Sequence, residues 1–213
     1  MTILLSDPRV SAVPVLDTGE PLVALPARLG PARALVRAGV AERLLHAATL
    51  LPPGVALRVV EGHRPLAGQR AIIERYSAEL RALHPHLGEE ELRTLTSRFV
   101  SPVEVAPHVA GAAVDLTLVD ADGHERDLGT AIDATPEQSD GACYFDATGI
   151  GEAAAANRAL LARTLGAAGF VNYPTEWWHW SYGDRYWALS VGAPAALYGP
   201  VDEAAAGAGE AAA

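Results

Sequence analysis

Several features that mark common classes of protein are scarce in this chain. Cys143 is the single cysteine among 213 residues, so a disulfide within the chain is impossible and nothing indicates an oxidising compartment. No apolar run reaches the roughly 18 residues that a membrane-crossing helix needs. The first residues also lack the basic segment that opens a secretory signal. We therefore expect a cytoplasmic protein with no membrane partner.

Basic residues are in the minority. The chain has 16 Lys and Arg residues against 26 Asp and Glu residues, which gives a formal net charge of -10 at pH 7. Phosphate backbones are bound by clustered basic side chains, and the sequence has no such cluster. The charge therefore argues against a nucleic-acid partner.

The composition otherwise resembles that of an ordinary globular protein. Half of the residues are hydrophobic and a fifth are charged. The length favours a single domain, which we predict over residues 1–200, with an extended segment over residues 1–30. The Ala, Gly and Glu residues of 201–213 are predicted to form a disordered tail.

The spacing of apolar residues predicts the main helices and strands. The predicted helices span residues 31–51, 66–83, 88–100 and 152–168. The predicted strands span residues 55–60, 113–119, 170–173 and 177–182, the first buried on both faces and the last two forming a hairpin or one interrupted strand. A turn at Asp122-Gly123 predicts a returning strand at 124–128, and residues 129–150 predict a long functional loop.

Two short stretches carry residues suited to metal chemistry. His108, Asp115 and His179 offer two imidazoles and one carboxylate, a complete protein ligand set for a catalytic zinc that keeps one position open for water. Other divalent transition metals accept the same set. Glu176 precedes His179 by three residues, so it can lie beside the metal without binding it and take a proton from water.

The spacing of His108 and Asp115 requires a bend. The two residues are seven positions apart, so on one unbroken strand they would face opposite ways. We predict that Gly111 supplies the bend and that His179 comes from a neighbouring strand. This spacing also occurs by chance, and the alternative for each histidine alone is a buried residue with an ordinary hydrogen bond.

Arg64 follows the predicted strand at 55–60. An isolated arginine at such a position is more often a surface ion-pair partner. A guanidinium held near a metal-bound carbonyl would instead stabilise the oxyanion that forms when water attacks. A metal, a base at Glu176 and a cation at Arg64 together predict peptide-bond hydrolysis without a covalent intermediate.

Four motifs appear in a recognisable order. They are Glu-Gly-His-Arg-Pro at 61–65, His-x-x-Gly-x-Ala-x-Asp-Leu-Thr-Leu at 108–118, Gly-Thr-x-x-Asp at 129–133 and Glu-Trp-Trp-His at 176–179. In these motifs the chain resembles the VanX-type D-alanyl-D-alanine dipeptidases over about residues 35–190. That group belongs to the zinc peptidases that also include D,D-carboxypeptidases and the hedgehog-like fold.

The resemblance implies both a fold and a set of roles. It implies a single α+β domain with a central antiparallel sheet flanked by helices, and hydrolysis of D-alanyl-D-alanine or a related dipeptide. It implies one zinc ion per chain. The implied roles are zinc ligands at His108, Asp115 and His179, a general base at Glu176 and transition-state stabilisation by Arg64. Asp133 is a further candidate, because a dipeptidase must neutralise the free ammonium group of its substrate.

Two departures leave alternatives open. The family commonly has serine two residues before the first histidine ligand, where this chain has Ala106, and the segment after Asp133 also differs in character. The tight dipeptide specificity of the family is therefore in question. The alternatives are a D,D-carboxypeptidase or stem-peptide endopeptidase, and a zinc-binding module of the same fold without catalysis. Metal binding alone requires neither Glu176 nor Arg64.

Overall fold

The computed structural model describes residues 2–201, which form six helices and six strands. The helices are α1 (Pro8–Ala12), α2 (Ala38–Thr49), α3 (Leu66–Leu83), α4 (Glu89–Thr96), α5 (Glu152–Ala167) and α6 (Arg185–Val191). The strands are β1 (Leu22–Ala24), β2 (Leu35–Arg37), β3 (Val55–Glu61), β4 (Ala113–Asp120), β5 (Val171–Asn172) and β6 (His179–Ser181). Short 3-10 turns lie at Ala27–Leu29 and Val103–Val105. In this part of the chain no helix is both long and apolar enough to cross a membrane.

An antiparallel sheet of four strands organises the chain. Its strand order is β3-β4-β6-β5, while β1 and β2 form a separate antiparallel pair. Strand β4 lies inside the sheet, between β3 and β6, and all its residues but the last are buried. The predicted α+β fold with a central antiparallel sheet is confirmed, and so is the hairpin that joins β5 to β6.

The two faces of β4 have different partners. Val114, Leu116 and Leu118 pack in the main hydrophobic cluster with residues of α2 and α5, such as Leu44 and Leu161. Alternate residues of a strand point to opposite faces, so Asp115 and Thr117 point away from this cluster. Burial of large apolar side chains contributes about 25 cal/mol per Å². The apolar face therefore anchors the strand that carries Asp115.

Helix α3 has the bounds that its periodicity predicts, and α5 ends within one residue of its predicted bound. Helix α2 begins later than predicted, at Ala38 rather than near residue 31, because residues 35–37 are drawn into the β1–β2 pair. Helix α4 is also shorter than residues 88–100, since the chain turns at Ser97.

Strand β3 was expected to be buried on both faces, and this expectation is wrong. Leu57 and Val59 are buried, whereas Val60 is 38% exposed. The reason is that the second face of β3, which carries Ala56, Arg58 and Val60, is only partly covered by the rest of the chain.

The expected strand at 124–128 is also not formed. The Asp122-Gly123 turn is present, but the pairing after it is limited to an isolated bridge between Val119 and Glu125, with backbone bonds from Asp120 to His124 and from Arg126 to Leu118. After Arg126 the backbone instead forms hydrogen bonds with side chains of α5: Asn157 donates to the carbonyl of Asp127. The chain is thereby pulled out of the sheet.

The N-terminal segment is not wholly extended, contrary to the prediction for residues 1–30. It contains α1, for which Asp7 is the N-cap and Pro8 the first residue, a favoured combination at a helix start. Val10 of α1 packs against Tyr173 and Tyr186. The predicted tail lies, beyond Val201, outside the described residues.

Arg158 of α5 fixes the long loop at 129–150, which contains neither helix nor strand. The side chain is 2% exposed and donates to the carbonyl oxygens of Leu128, Ala142 and Tyr144 at 2.5–2.8 Å. One guanidinium therefore binds the backbone directly before the loop and the backbone of its second half.

Replacing Arg158 by methionine is expected to lower the free energy of unfolding by about 3 kcal/mol, because several buried carbonyls lose a charged donor. Urea denaturation measures the change. Arg163→Met is the matched control, since Arg163 is an exposed residue of the same helix. Equal losses in the two variants would show that Arg158 does not hold the loop.

Candidate metal and peptidase site

The three predicted metal ligands converge in the structure. His179 Nδ1 lies 3.1 Å from Asp115 Oδ1 and 3.1 Å from His108 Nε2, and His108 Nε2 lies 3.3 Å from Asp115 Oδ2. One ligand atom from each residue lies within 4.8 Å of the others, and all three residues are buried. The two histidines are buried and hydrogen-bonded, as the alternative for each alone expects, but they also lie together around one carboxylate, which a metal site requires.

Sheet register places two of the ligands. Asp115 on β4 is the direct partner of His179 on β6 and, on its other side, of Glu61 on β3. Residues that face one another across antiparallel strands have closely spaced side chains. The side chains of Glu61, Asp115 and His179 therefore lie in one row across the sheet. Glu61 is 54 residues before Asp115 in the sequence, and His179 is 64 residues after it.

A tight turn before β4 places His108. Gly111 has φ +65°, a conformation that glycine adopts readily, and a Cβ there would lie 2.5 Å from Leu22 Cδ2. The turn is closed by bonds from the Gly111 N–H to the His108 carbonyl and from the Ala112 N–H to the Pro107 carbonyl. The bend predicted at Gly111 is present and brings His108 back over Asp115.

The second nitrogen of His108 is fixed by the backbone. His108 Nδ1 lies 2.7 Å from the carbonyl oxygen of Gly62, which can only accept, so Nδ1 donates; in the neutral imidazole Nε2 is then the nitrogen with a lone pair. Gly62 has no room for a side chain, since a Cβ there would lie 2.4 Å from the Leu35 carbonyl oxygen. Gly62, in the motif at 61–65, thus orients the imidazole of His108, the first residue of the motif at 108–118.

Glu176 lies beside the three ligands. Its Oε2 is 3.7 Å from His179 Nδ1 and its side chain is buried. Burial raises the pKa of Glu176 well above its ordinary value, and the negative charges of Asp115 and Asp133 raise it further. A carboxyl group with a raised pKa can both take up and release a proton during a reaction.

The charge state of Asp115 differs from that of Glu176. Burial by itself raises the pKa of Asp115, but His108 and His179 outweigh burial and hold that pKa well below its usual range. The pKa of Asp115 is therefore lowered and the pKa of its neighbour Glu176 is raised. This pattern suits an ionised metal ligand at Asp115 and an acid–base group at Glu176.

Arg64 reaches the same cavity from the loop after β3. Its backbone N–H donates to the carbonyl of His108, and its side chain is only 16% exposed. The guanidinium donates to both carboxylate oxygens of Glu61, at 2.7 and 2.5 Å, and to Gln69 Oε1 at 2.8 Å. It is a fixed cation at the cavity wall and not a surface arginine.

Asp133 also lines the cavity, from the loop after β4. It has φ +63°, an uncommon conformation for a residue other than glycine. Partial burial, followed by the charges of Asp115 and Glu61, raises its pKa. The structure therefore brings all six residues singled out in the sequence to one place.

The cavity has a volume of about 480 Å³ and an excess of acidic groups. The carboxylates that line it are Glu61, Glu79, Asp115, Asp133 and Glu176, and the guanidinium groups are Arg64 and Arg75. Asp115 and Glu176 are the buried members of this set, and an excess of acidic groups around a cavity favours a bound cation. Two imidazoles and one carboxylate are the donors of a catalytic zinc site, so the residues present fit this metal.

Sequence reasoning missed the contribution of α3. Ile72, Arg75, Tyr76 and Glu79 of this helix line the cavity, and Gln69 contacts Arg64. Their positions recur every three or four residues, so they share one helix face. That spacing, in a helix that directly follows the Arg64 motif, was the signal that could have found them.

Comparison with known proteins agrees with this geometry. The family model described as D-ala-D-ala dipeptidase, of peptidase family M15, matches residues 30–191. The chain belongs to this family. Its members are metallopeptidases with zinc as the cofactor, which accords with the ligand set formed by His108, Asp115 and His179.

Curated relatives cover most of the chain. A D-alanyl-D-alanine dipeptidase of Synechocystis sp. is 29% identical, covering 83% of this chain and 87% of the relative. A D-alanyl-D-alanine dipeptidase of Enterococcus faecalis is 30% identical, covering 70% of this chain and 74% of the relative.

A solved structure has a similar fold. The structure of VanYB in complex with D-Alanine-D-Alanine aligns with a TM-score of 0.50 and 18% identity, covering 87% of this chain and 92% of the other. At this identity the likeness concerns the fold alone.

Replacing Asp115 by asparagine is expected to abolish stoichiometric zinc binding, because the site loses its one anionic ligand. Metal analysis after dialysis against zinc-free buffer measures the content. Asp120→Asn is the matched control: Asp120 belongs, with Asp122 and His124, to an exposed group of metal-binding residue types on the β4 turn. If only the Asp120 variant lost zinc, the metal would be bound by Asp120, Asp122 and His124, and the assignment of Asp115 as a ligand would be wrong.

Proposed function

We propose that this protein hydrolyses D-alanyl-D-alanine, or a closely related dipeptide, at a zinc ion held by His108, Asp115 and His179. The observation that carries the proposal is the meeting of these three residues, buried and within 4.8 Å, beside a fourth buried acid at Glu176. Membership of the D-ala-D-ala dipeptidase family supports the same substrate class. A binding module without catalysis has no use for Glu176 or Arg64 in these positions.

Glu176 is the acid–base group of the proposal. When bound, the metal ion lowers the pKa of a water molecule and polarises the substrate carbonyl. Glu176 lies next to His179 without belonging to the ligand set, so its carboxylate can accept a proton from the attacking water. The raised pKa lets it retain that proton and pass it to the departing amine.

Arg64 and Asp133 supply charges of opposite sign. The guanidinium of Arg64, held by Glu61 and Gln69, can stabilise the negative charge that develops on the scissile carbonyl oxygen. The carboxylate of Asp133, which lines the same cavity, can pair with the free ammonium group of a dipeptide. Because the guanidinium is held in advance, it requires little reorganisation during the reaction.

The substrate panel must separate a dipeptidase from a D,D-carboxypeptidase. D-alanyl-D-alanine, its L,L isomer and a stem pentapeptide that ends in D-alanyl-D-alanine are compared by release of alanine. Ala106, which replaces the serine common in the family, makes the panel necessary. Cleavage of the pentapeptide alone would overturn the dipeptidase assignment. A cytoplasmic location and a part in cell-wall metabolism are expectations that accompany this substrate, and cell fractionation tests the first.

Glu176→Gln is expected to lower kcat by about 10²- to 10⁴-fold, because an amide cannot accept the proton from water. Zinc content is expected to stay at one ion per chain, since Glu176 is not a ligand in the proposal. Alanine release and metal analysis on the same sample measure both quantities. Activity near that of the wild type would refute the role of Glu176 as the base.

Asp133→Asn is expected to raise KM for D-alanyl-D-alanine by roughly tenfold or more, because the substrate ammonium loses an ionic partner. The N-acetylated dipeptide has no ammonium group, so its turnover, however slow, is expected to be equal in the two proteins. Steady-state kinetics with both compounds make the comparison. An equal loss for both would mean that Asp133 supports the loop and does not bind the amine.

A further inference from the structure

Gln69 is a buried polar residue that contacts Arg64 and none of the candidate metal ligands. It lies in the first part of α3, is 1% exposed, and has both ends of its amide engaged. Its Oε1 accepts from Arg64 Nη1 at 2.8 Å, while its Nε2 donates to the carbonyl oxygen of Ser101 at 2.8 Å and to Ser101 Oγ at 3.2 Å. The amide thus connects the guanidinium to the chain before the Val103–Val105 turn.

The contacts of Arg64 explain why a second partner matters. Glu61 accepts from Nε and Nη2, along one edge of the guanidinium, but the Glu61 side chain is itself 34% exposed. An ion pair with a partly exposed carboxylate can pivot as a unit. Gln69 contacts the remaining nitrogen, Nη1, from a buried position, so it removes that freedom.

The bonds also determine what Arg64 can still donate. A guanidinium has five N–H groups, and three are used by Glu61 and Gln69. One N–H on each terminal nitrogen is left for a ligand of the cavity that Arg64 lines. Two donors on adjacent nitrogens in a fixed plane suit an oxygen that gains charge, provided that the plane does not rotate.

We propose that Gln69 is a positioning residue for the reaction: it holds the guanidinium of Arg64 in the plane from which Arg64 stabilises the charge developing on the scissile carbonyl oxygen. The inference rests on the proposed hydrolytic function. It adds a residue that touches neither the metal ligands nor the substrate and acts through Arg64. The acceptor end of the amide does this work, and the donor end anchors it to Ser101.

Two substitutions separate the ends of the Gln69 amide. Gln69→Met removes both sets of hydrogen bonds at similar volume. Gln69→Glu keeps an acceptor for Arg64 and loses the donors to Ser101. Gln69→Met is expected to lower kcat for D-alanyl-D-alanine by tenfold or more with KM changed less than about threefold, because Arg64 acts in the transition state. Gln69→Glu is expected to keep kcat within about threefold of the wild type, although both variants melt at lower temperature.

Ser77→Ala is the matched control, because Ser77 is another hydrogen-bonding residue of α3, paired with Thr96 Oγ1 and without a contact to Arg64. Its kcat is expected to be unchanged. In an Arg64→Met background, adding Gln69→Met is expected to change kcat by less than about twofold. Independent, multiplicative losses would overturn the inference. If Gln69→Met does not fold, Gln69→Glu decides alone, since a large fall in its kcat with zinc retained would also overturn it.

A second readout needs no turnover. In nitrogen-15 NMR spectra of the zinc-loaded protein, the terminal N–H protons of Arg64 are expected to exchange slowly with water in the wild type and in the Gln69→Glu variant. They are expected to exchange at least tenfold faster in Gln69→Met. Unchanged exchange in Gln69→Met would refute the positioning role. A wild type that shows this pattern but cleaves no peptide would refute the proposed function, and only the restraint of Arg64 by Gln69 would then stand.

Discussion

Two carboxyl groups, the ionised Asp115 and the acid–base group Glu176, are buried beside His179 in a cavity that contains more acidic than basic groups. A buried negative charge is costly unless cations or hydrogen bonds offset it. Here the offsetting groups are the two histidines, Arg64 and, in the account given above, a divalent metal ion. The site depends on this balance of charge. The strand register and the turn at Gly111 serve to bring these charged and hydrogen-bonding side chains together.

The sheet meets this constraint through its register. Asp115 is paired across the strands with His179 on one side and with Glu61 on the other, and Glu61 in turn binds Arg64. A slip of one residue in β4 would move Asp115 to the apolar face and bring Leu116 to the cavity. The hydrophobic cluster on the apolar face of β4 therefore maintains the register that directs Asp115 into the cavity. The turn at Gly111 completes the arrangement, because it brings His108, which lies outside the sheet, back over Asp115.

Local patterns predicted much of this structure. Strand β4 and helix α3 follow from their periodicities, and the candidate ligands are recognised by residue types that suit zinc. The late start of α2 and the missing strand at 124–128 did not follow, because pairing with β1 and capture by Asn157 are long-range events. The distances among the ligands also depend on strand register, which no single segment encodes.

X-ray absorption at the zinc edge of the purified, zinc-loaded protein identifies the atoms that bind the metal. With His108, Asp115 and His179 as ligands, we expect a four-coordinate ion with nitrogen and oxygen neighbours at about 2.0–2.1 Å and the outer scattering pattern of two imidazole rings. A spectrum with a sulfur neighbour, or with oxygen neighbours and no imidazole signal, would contradict the assignment of His108, Asp115 and His179 as the ligands.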